Sequence, residues 1–194
     1  MNGGYIPRTC RPLRHGGFTL IELMVTIAIA AILVMMAAPS MKDVIISNRT
    51  SASSNEFMGS VLRARTEAVS RNSCVTMCVS KNTDSATPSC AETTETAWGN
   101  GWIAFRNPDC DAAAASPPAP AADNLLLVTR TLNTDYSLTG PGGLIFFSAT
   151  GLPRPVDVGS FRIRYQTSTR SSNRTICLSP LGRTSTIAYS DTCK

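Results

Sequence analysis

Histidine is almost missing from this sequence, the only one being His15, so any nucleophile that needs an imidazole base depends on a residue close to the N-terminus. Charged residues are also scarce, at 16% of 194, and aromatic residues make up 6%. With 43% hydrophobic residues, such a chain is not disordered as a whole and has the material for a core. Its length allows one ordinary domain plus an appendage. Residues 112–122, rich in alanine and proline, are the low-complexity exception.

Acidic residues are absent from the first 21 positions, whereas Arg8, Arg11 and Arg14 precede an apolar run at residues 18–38. The only polar side chains in that run are Thr19, Glu22 and Thr26. As a helix rising about 1.5 Å per residue, it matches the roughly 30 Å hydrocarbon core of a bilayer. Lys42 and Asp43 are the first charges beyond it, and this arginine bias places the N-terminus in the cytoplasm and the rest outside. A cleaved signal peptide is one competing reading, against which stand the length of the run and Pro39 directly after Ala37 and Ala38. A plain anchor is another, and it leaves Glu22 without a purpose in an apolar segment.

The heptapeptide Gly17-Phe18-Thr19-Leu20-Ile21-Glu22-Leu23 resembles the class III leader junction of type IV pilins and type II secretion pseudopilins. The resemblance implies that a prepilin peptidase removes residues 1–17 by cutting between Gly17 and Phe18, and that Phe18 becomes N-methylated. Glu22 would then be the fifth mature residue and would pair, during subunit assembly, with the amine of Phe18 on a neighbouring subunit. Pro39 occupies the position at which pilin helices commonly bend, and is the expected helix kink. Physically, an acid in the first turn of a helix lies at the positive end of its dipole.

Residues 18–39 are thus expected to form the transmembrane half of a helix and residues 40–72 its amphipathic half. Residues 47–54 are serine-rich and poor helix formers. Phe57, Met58, Val61, Leu62, Ala68 and Val69 recur at three- and four-residue spacing and define an apolar face to pack on a sheet. Arg63, Arg65, Glu67 and Arg71 read as a solvated charge run. From residue 73 to 194 the pattern is β-rich, with strands expected at 74–80, 101–106, 125–132, 144–148, 160–166, 174–179 and 183–189. Phe161, Ile163 and Tyr165 alternate with Arg162 and Arg164, so the first three should face the core. Residues 81–100 and 107–124 read as loops.

The resulting fold class is α+β and type IV pilin-like, a long N-terminal helix packed on an antiparallel β-sheet domain. Several stretches resemble, in order, the GspH/FimT family of minor pilins and pseudopilins. They are Arg65-Thr66-Glu67-Ala68, Cys74-Val75-Thr76-Met77-Cys78, Trp98-Gly99-Asn100-Gly101-Trp102-Ile103-Ala104-Phe105, residues 146–151 and residues 176–183. This resemblance implies as partners other pilin or pseudopilin subunits, prepilin peptidase and an inner-membrane assembly platform. It implies a single-pass inner-membrane protein with a periplasmic C-terminal domain that can be drawn into a fibre, and no cofactor.

Loss of the leader removes Cys10 and leaves six cysteines in an exported, oxidising setting, where disulfides are expected. On the strand reading, Cys177 and Cys193 lie on the last two strands and are brought together by their hairpin. Cys78 and Cys90 close a short loop, and Cys74 remains for Cys110. A zinc site of Cys74, Cys78, Cys90 and Cys110 is the rival, although the spacing lacks the paired CxxC pattern. Without His15 no histidine-assisted nucleophile remains. The pairs Glu92 with Glu95 and Asp109 with Asp111 read as loop charges, so no enzymatic activity and no metal are expected.

Three functional readings follow: a subunit of a type II secretion pseudopilus, a minor pilin of a type IV pilus, and a DNA-binding minor pilin of the FimT type. The last would use a C-terminal Gly-Arg-x-Arg motif, of which Gly182-Arg183-Thr184-Ser185 keeps the first arginine only. Without the leader, 15 basic residues stand against 13 acidic ones. The cations concentrate in residues 151–194, where Arg154, Arg162, Arg164, Arg170, Arg174, Arg183 and Lys194 face only Asp157 and Asp191. Arg162, Arg164, Arg170, Arg174 and Arg183 are the candidates for a phosphate-binding surface.

Overall fold

The computed structural model describes residues 17–111, 113–118, 121–154, 159–166, 172–190 and 192–193. The residues upstream of Gly17, with His15 and Cys10, lie outside the described residues, as do Asp157, Arg170, Asp191 and Lys194. Helix α1 runs Leu20–Ser70, continuous through Pro39, and the chain divides into two compact units, Met1–Met41 and Lys42–Lys194.

In the first unit the helix is started by Thr19, whose hydroxyl accepts the Glu22 N–H at 3.2 Å, while its carbonyl accepts the N–H of Leu23. Thr19 and Glu22 stand in the Thr-x-x-Glu spacing of a capping box. Every large hydrophobic side chain from Phe18 to Met36 is exposed. Among the described residues no single straight helix is long and apolar enough to cross a membrane, but Leu20–Met36 and Met41–Ser70 pass that test as a pair.

In the second unit α1 buries a stripe made of Ile46, Thr50, Ser54, Phe57, Val61, Ala64 and Ala68. Its three- and four-residue spacing is that of one helix face. The serine-rich stretch is helical after all. The Thr50 and Ser54 hydroxyls donate to the Ile46 and Thr50 carbonyls at 3.0 and 2.8 Å, which satisfies them when buried. The helix ends where Asn72 takes a left-handed φ of 46°. Two residues of the expected apolar face point elsewhere: Leu62 and Val69 are 57% and 51% exposed, because the true stripe is centred on Phe57 and Ala68 and leaves them on its shoulder.

The strands are β1 Cys74–Val79, β2 Trp102–Asn107, β3 Leu125–Thr129, β4 Tyr136–Thr139, β5 Leu144–Phe147, β6 Pro153–Arg154, β7 Ser160–Tyr165, β8 Arg174–Leu178 and β9 Thr184–Ala188. They form two sheets where one was expected, a five-stranded sheet in the order β3-β2-β1-β5-β6 and a four-stranded sheet in the order β4-β7-β8-β9. All pairings are antiparallel. The expected strand 125–132 stops at Thr129, while β4 and β6 carry too few alternating residues to be read from sequence. Both sheets pack on the α1 stripe. Phe57 touches Trp98, Trp102 and Phe161 at ring-centroid distances of 5.3, 5.4 and 4.8 Å. Phe161 and Ile163 are buried as expected, whereas Tyr165, at the end of β7, is half-buried against Tyr136.

The two expected loops are structural. Trp98, in a 3-10 turn at Trp98–Asn100, is fully buried and donates its indole N–H to the Gly142 carbonyl at 2.7 Å. β1 is buried along its whole length because Val75, Met77 and Val79 face the helix while the opposite face is also covered. There Cys78, Ile103 and Phe105 form a second small core with Cys90, Ala114 and Leu125 packed on it. Ala114 of the alanine-rich segment is thus part of a cover, and a short helix, α2, follows at Ala121–Asn124.

Candidate functional site

The Gly17-Phe18 step expected as a cleavage position lies just ahead of α1. Gly17, Phe18 and Thr19 are exposed and precede the helix, and Phe18 is 85% exposed. Glu22 follows in the first helical turn, exposed and, among the described residues, with no ion-pair partner. Thr19 is the residue that sequence reading passed over here. Its signal was the capping-box spacing to Glu22.

Disulfides join Cys74 to Cys110, Cys78 to Cys90 and Cys177 to Cys193. The four cysteines of the zinc alternative are therefore held in two separate bonds. Cys193 lies beyond β9 and not on it, so the last bond pins the tail across the outer face of the second sheet. There the Thr175 hydroxyl donates to the Ser190 carbonyl at 2.7 Å and accepts the Ser190 N–H at 2.9 Å. The first two bonds clamp the cover over β1. Beside them Asn107 donates its side-chain amide to the Thr76 hydroxyl and to the Asp111 carbonyl.

Arg65 is not part of a solvated charge run. It is half-buried, donating Nε to the Gly151 carbonyl at 3.1 Å and Nη1 to the Gly182 carbonyl at 3.2 Å. Both glycines have positive φ, 76° and 74°, and a β-carbon on either would meet the Arg65 side chain. The family-like stretches around Arg65, Gly151 and Gly182 thus converge on one clamp between helix and loops. Arg71, by contrast, makes an exposed pair with Glu67.

Among the described residues, the candidate arginines are spread over more than one face. Arg162 and Arg164 alternate on β7 and share the outer face, where the Arg164 guanidinium lies 4.9 Å from the centre of the Tyr189 ring. Arg174 pairs in register with the buried Ile163 and so belongs to the opposite face, while Arg183 lies in the turn before β9. Of the loop carboxylates, Glu92 and Glu95 lie together beside Lys81. Glu95 pairs with Lys81, whose hydrogen bond, with that of the Ala97 N–H, holds the Glu95 carboxyl below the usual range; the same bond raises Lys81. An open depression of about 500 Å³ borders this pair, lined also by Cys90, Ala91, Glu92, Thr94 and Thr96. Among the described residues no group of three or more metal-ligating side chains is gathered.

The prokaryotic N-terminal methylation motif matches residues 13–38, covering the junction and the exposed apolar helix. No curated protein matches the chain. Among solved structures, the type IV minor pilin FimU of Pseudomonas aeruginosa superposes with a TM-score of 0.54 at 18% identity, covering 76% of this chain and 94% of FimU. A second crystal form of FimU gives 0.52, covering 74% and 97%. The minor pseudopilin EpsH of the Vibrio cholerae type II secretion system gives 0.46 at 10% identity, covering 75% and 98%. The likeness to FimU is one of fold. The model of the type II transport protein GspH family matches residues 53–182, about two thirds of the sequence, which takes in the Arg65 clamp, the first sheet, β4, β7 and β8 of the second and the covering loops, and the chain belongs to that family.

Proposed function

We propose that this pilin-class subunit is cut between Gly17 and Phe18 by prepilin peptidase, N-methylated on Phe18, and assembled with other pilin or pseudopilin subunits. The methylation motif and the apolar helix make it a membrane-anchored pilin-type protein. The finer placement is a proposal: residues 18–39 cross the inner membrane, the leader is cytoplasmic, and the β-rich domain is periplasmic. An assembly platform then draws the subunit into a type II secretion pseudopilus or a type IV pilus. The observation that carries this is the head of α1. An accessible Gly17-Phe18 bond leads into a helix with an acid in its first turn and every large apolar side chain to Met36 uncovered.

Physics explains the order of events. The uncovered side chains are stable in lipid or against neighbouring helices and nowhere else. Moving such a helix out of lipid into a fibre requires the Glu22 charge to meet a cation, and the free amine of a neighbouring Phe18 exists only after the leader is cut. Processing would therefore license assembly. Pro39 is the residue proposed to bend the helix. The role is structural and not catalytic, and the dispersal of Arg162, Arg174 and Arg183 over different faces favours assembly over a phosphate-binding surface.

The test uses the full chain in its own cell. Glu22→Ala should be processed normally and remain in the membrane, while the native chain is recovered with other pilin-class subunits after cross-linking. Recovery of Glu22→Ala in fibres at native level, or failure of the native chain to cross-link to any pilin-class subunit, would overturn the proposal.

A further inference from the structure

The two sheets have four edges, and three are guarded. β6 is two residues long and consists of Pro153 and Arg154. β3 slips register against β2 between Ala104 and Phe105 and runs into the Arg130–Asp84 ion pair. β4 buries Tyr136 and Leu138, and Thr139 is bridged on its free side by Ala97. β9 has none of these devices. Its five residues, Thr184-Ser185-Thr186-Ile187-Ala188, carry no charge and no proline, pair with β8 in unbroken register, and are exposed from Ser185 onward. An edge of this kind is a template for another strand.

The phase of the ladder shows what β9 offers. The Ser179 N–H bonds the Arg183 carbonyl at 2.9 Å, making those two a hydrogen-bonded pair. By alternation Ser185 and Ile187 bond toward β8, and the N–H and C=O groups of Thr184, Thr186 and Ala188 point away from it. The Leu178 N–H, opposite Thr184, accordingly turns to the Gly159 carbonyl of the β7 side.

Beside this edge runs the shoulder of α1. The Thr186 hydroxyl donates to Met58 Sδ at 3.2 Å, and Arg65 holds Gly182. Leu62, between Met58 and Arg65 on the helix and further from the buried stripe, is left exposed. A strand added beyond β9 would find three outward ladder positions and would set alternate side chains against Leu62. Arg183 stands exposed at one end, in the segment where cations outnumber acids.

We infer that β9 and the Met58 to Leu62 shoulder form a strand-addition site for an extended, uncharged segment of a different pilin-class subunit, with an acidic residue at the Arg183 end. The inference rests on the assembly reading above. A second copy of this chain is the poorer fit, because its own β9 carries no acid to meet Arg183.

The experiment places a photoreactive phenylalanine at Leu62, at Ala188 and, separately, at Ile29 in the full chain expressed with its native assembly. Adducts from Leu62 and Ala188 should map to one acid-flanked segment of another pilin-class subunit. Thr186→Pro, which removes only an outward N–H, and Thr186→Lys, which keeps every bond to β8, should each cut those adducts about tenfold, and Thr186→Val should not. Thermal melting reports on the fold of each variant, and the lysine variant decides if the proline variant does not fold. Adducts to a second copy, no adducts at either position, or adducts insensitive to both substitutions overturn the inference. If Ile29 still gives subunit adducts, it falls alone; if Ile29 gives none, the assembly reading falls with it.

Discussion

Phe57→Ala isolates the contact on which the β-rich domain is built. Phe57 is fully buried and meets Trp98, Trp102 and Phe161, so its ring joins helix, first sheet and second sheet. Truncating a buried phenylalanine costs about 3–5 kcal/mol in transfer and cavity terms. Three aromatic neighbours, each worth about 0.5–1.5 kcal/mol beyond area, place this site near the upper end. Against a total stability of about 5–15 kcal/mol, that is a large fraction, and it lowers the melting temperature by about 10–20 °C. Both tryptophans of the chain are among the contacts, so urea unfolding followed by their fluorescence reads the site directly. Phe57→Leu should lose about 1–2 kcal/mol, the edge contacts without most of the volume. Leu62→Ala, one turn away on the exposed shoulder, should stay within about 0.5 kcal/mol. A loss below about 1 kcal/mol for Phe57→Ala, or an equal loss for Leu62→Ala, would refute the assignment of the buried face.

Arg65→Ala should cost about 2 kcal/mol, the scale of hydrogen bonds from a charged donor, and should speed amide exchange in residues 148–152 and 179–183 before it affects β1. Replacing Cys177 and Cys193 by serine opens a loop of sequence separation 16 and should cost about 3 kcal/mol, with proteolysis appearing first after Tyr189. The lowered Glu95 carboxyl adds stability that is complete above the unfolded carboxylate pKa and is lost as pH falls through its lower folded value. The raised Lys81 adds stability present below the ordinary lysine pKa and lost as pH rises through its higher folded value. Lys81→Met should therefore return the Glu95 titration, followed by carbon NMR, toward the ordinary range, and added salt should do part of the same.

Some of this molecule is legible in its sequence because the signal is local. The helix announces itself by length and apolar spacing, seven of the strands by short β-branched runs, and the N-terminal methylation motif by a contiguous heptapeptide. What was not legible depends on distance. Arg65 reads as a surface charge until Gly151 and Gly182, remote in sequence, bring their carbonyls to it. Leu62 and Val69 look like core until the hydroxyl-bearing Thr50 and Ser54 prove to be buried, which moves the stripe around the helix. Trp98 reads as loop because its burial comes from Gly142, Phe57 and Phe161. The C-terminal arginines look like one surface because they are close in sequence, but pairing Arg174 with Ile163 turns it to the other face.

The account stands most directly on the N-terminus of the chain in its own membrane. Mass spectrometry of the purified full-length protein should find a chain that begins at Phe18 and carries one additional methyl group on that amine. A mature chain that begins at any other residue, or one that retains Met1 through Gly17, would contradict it.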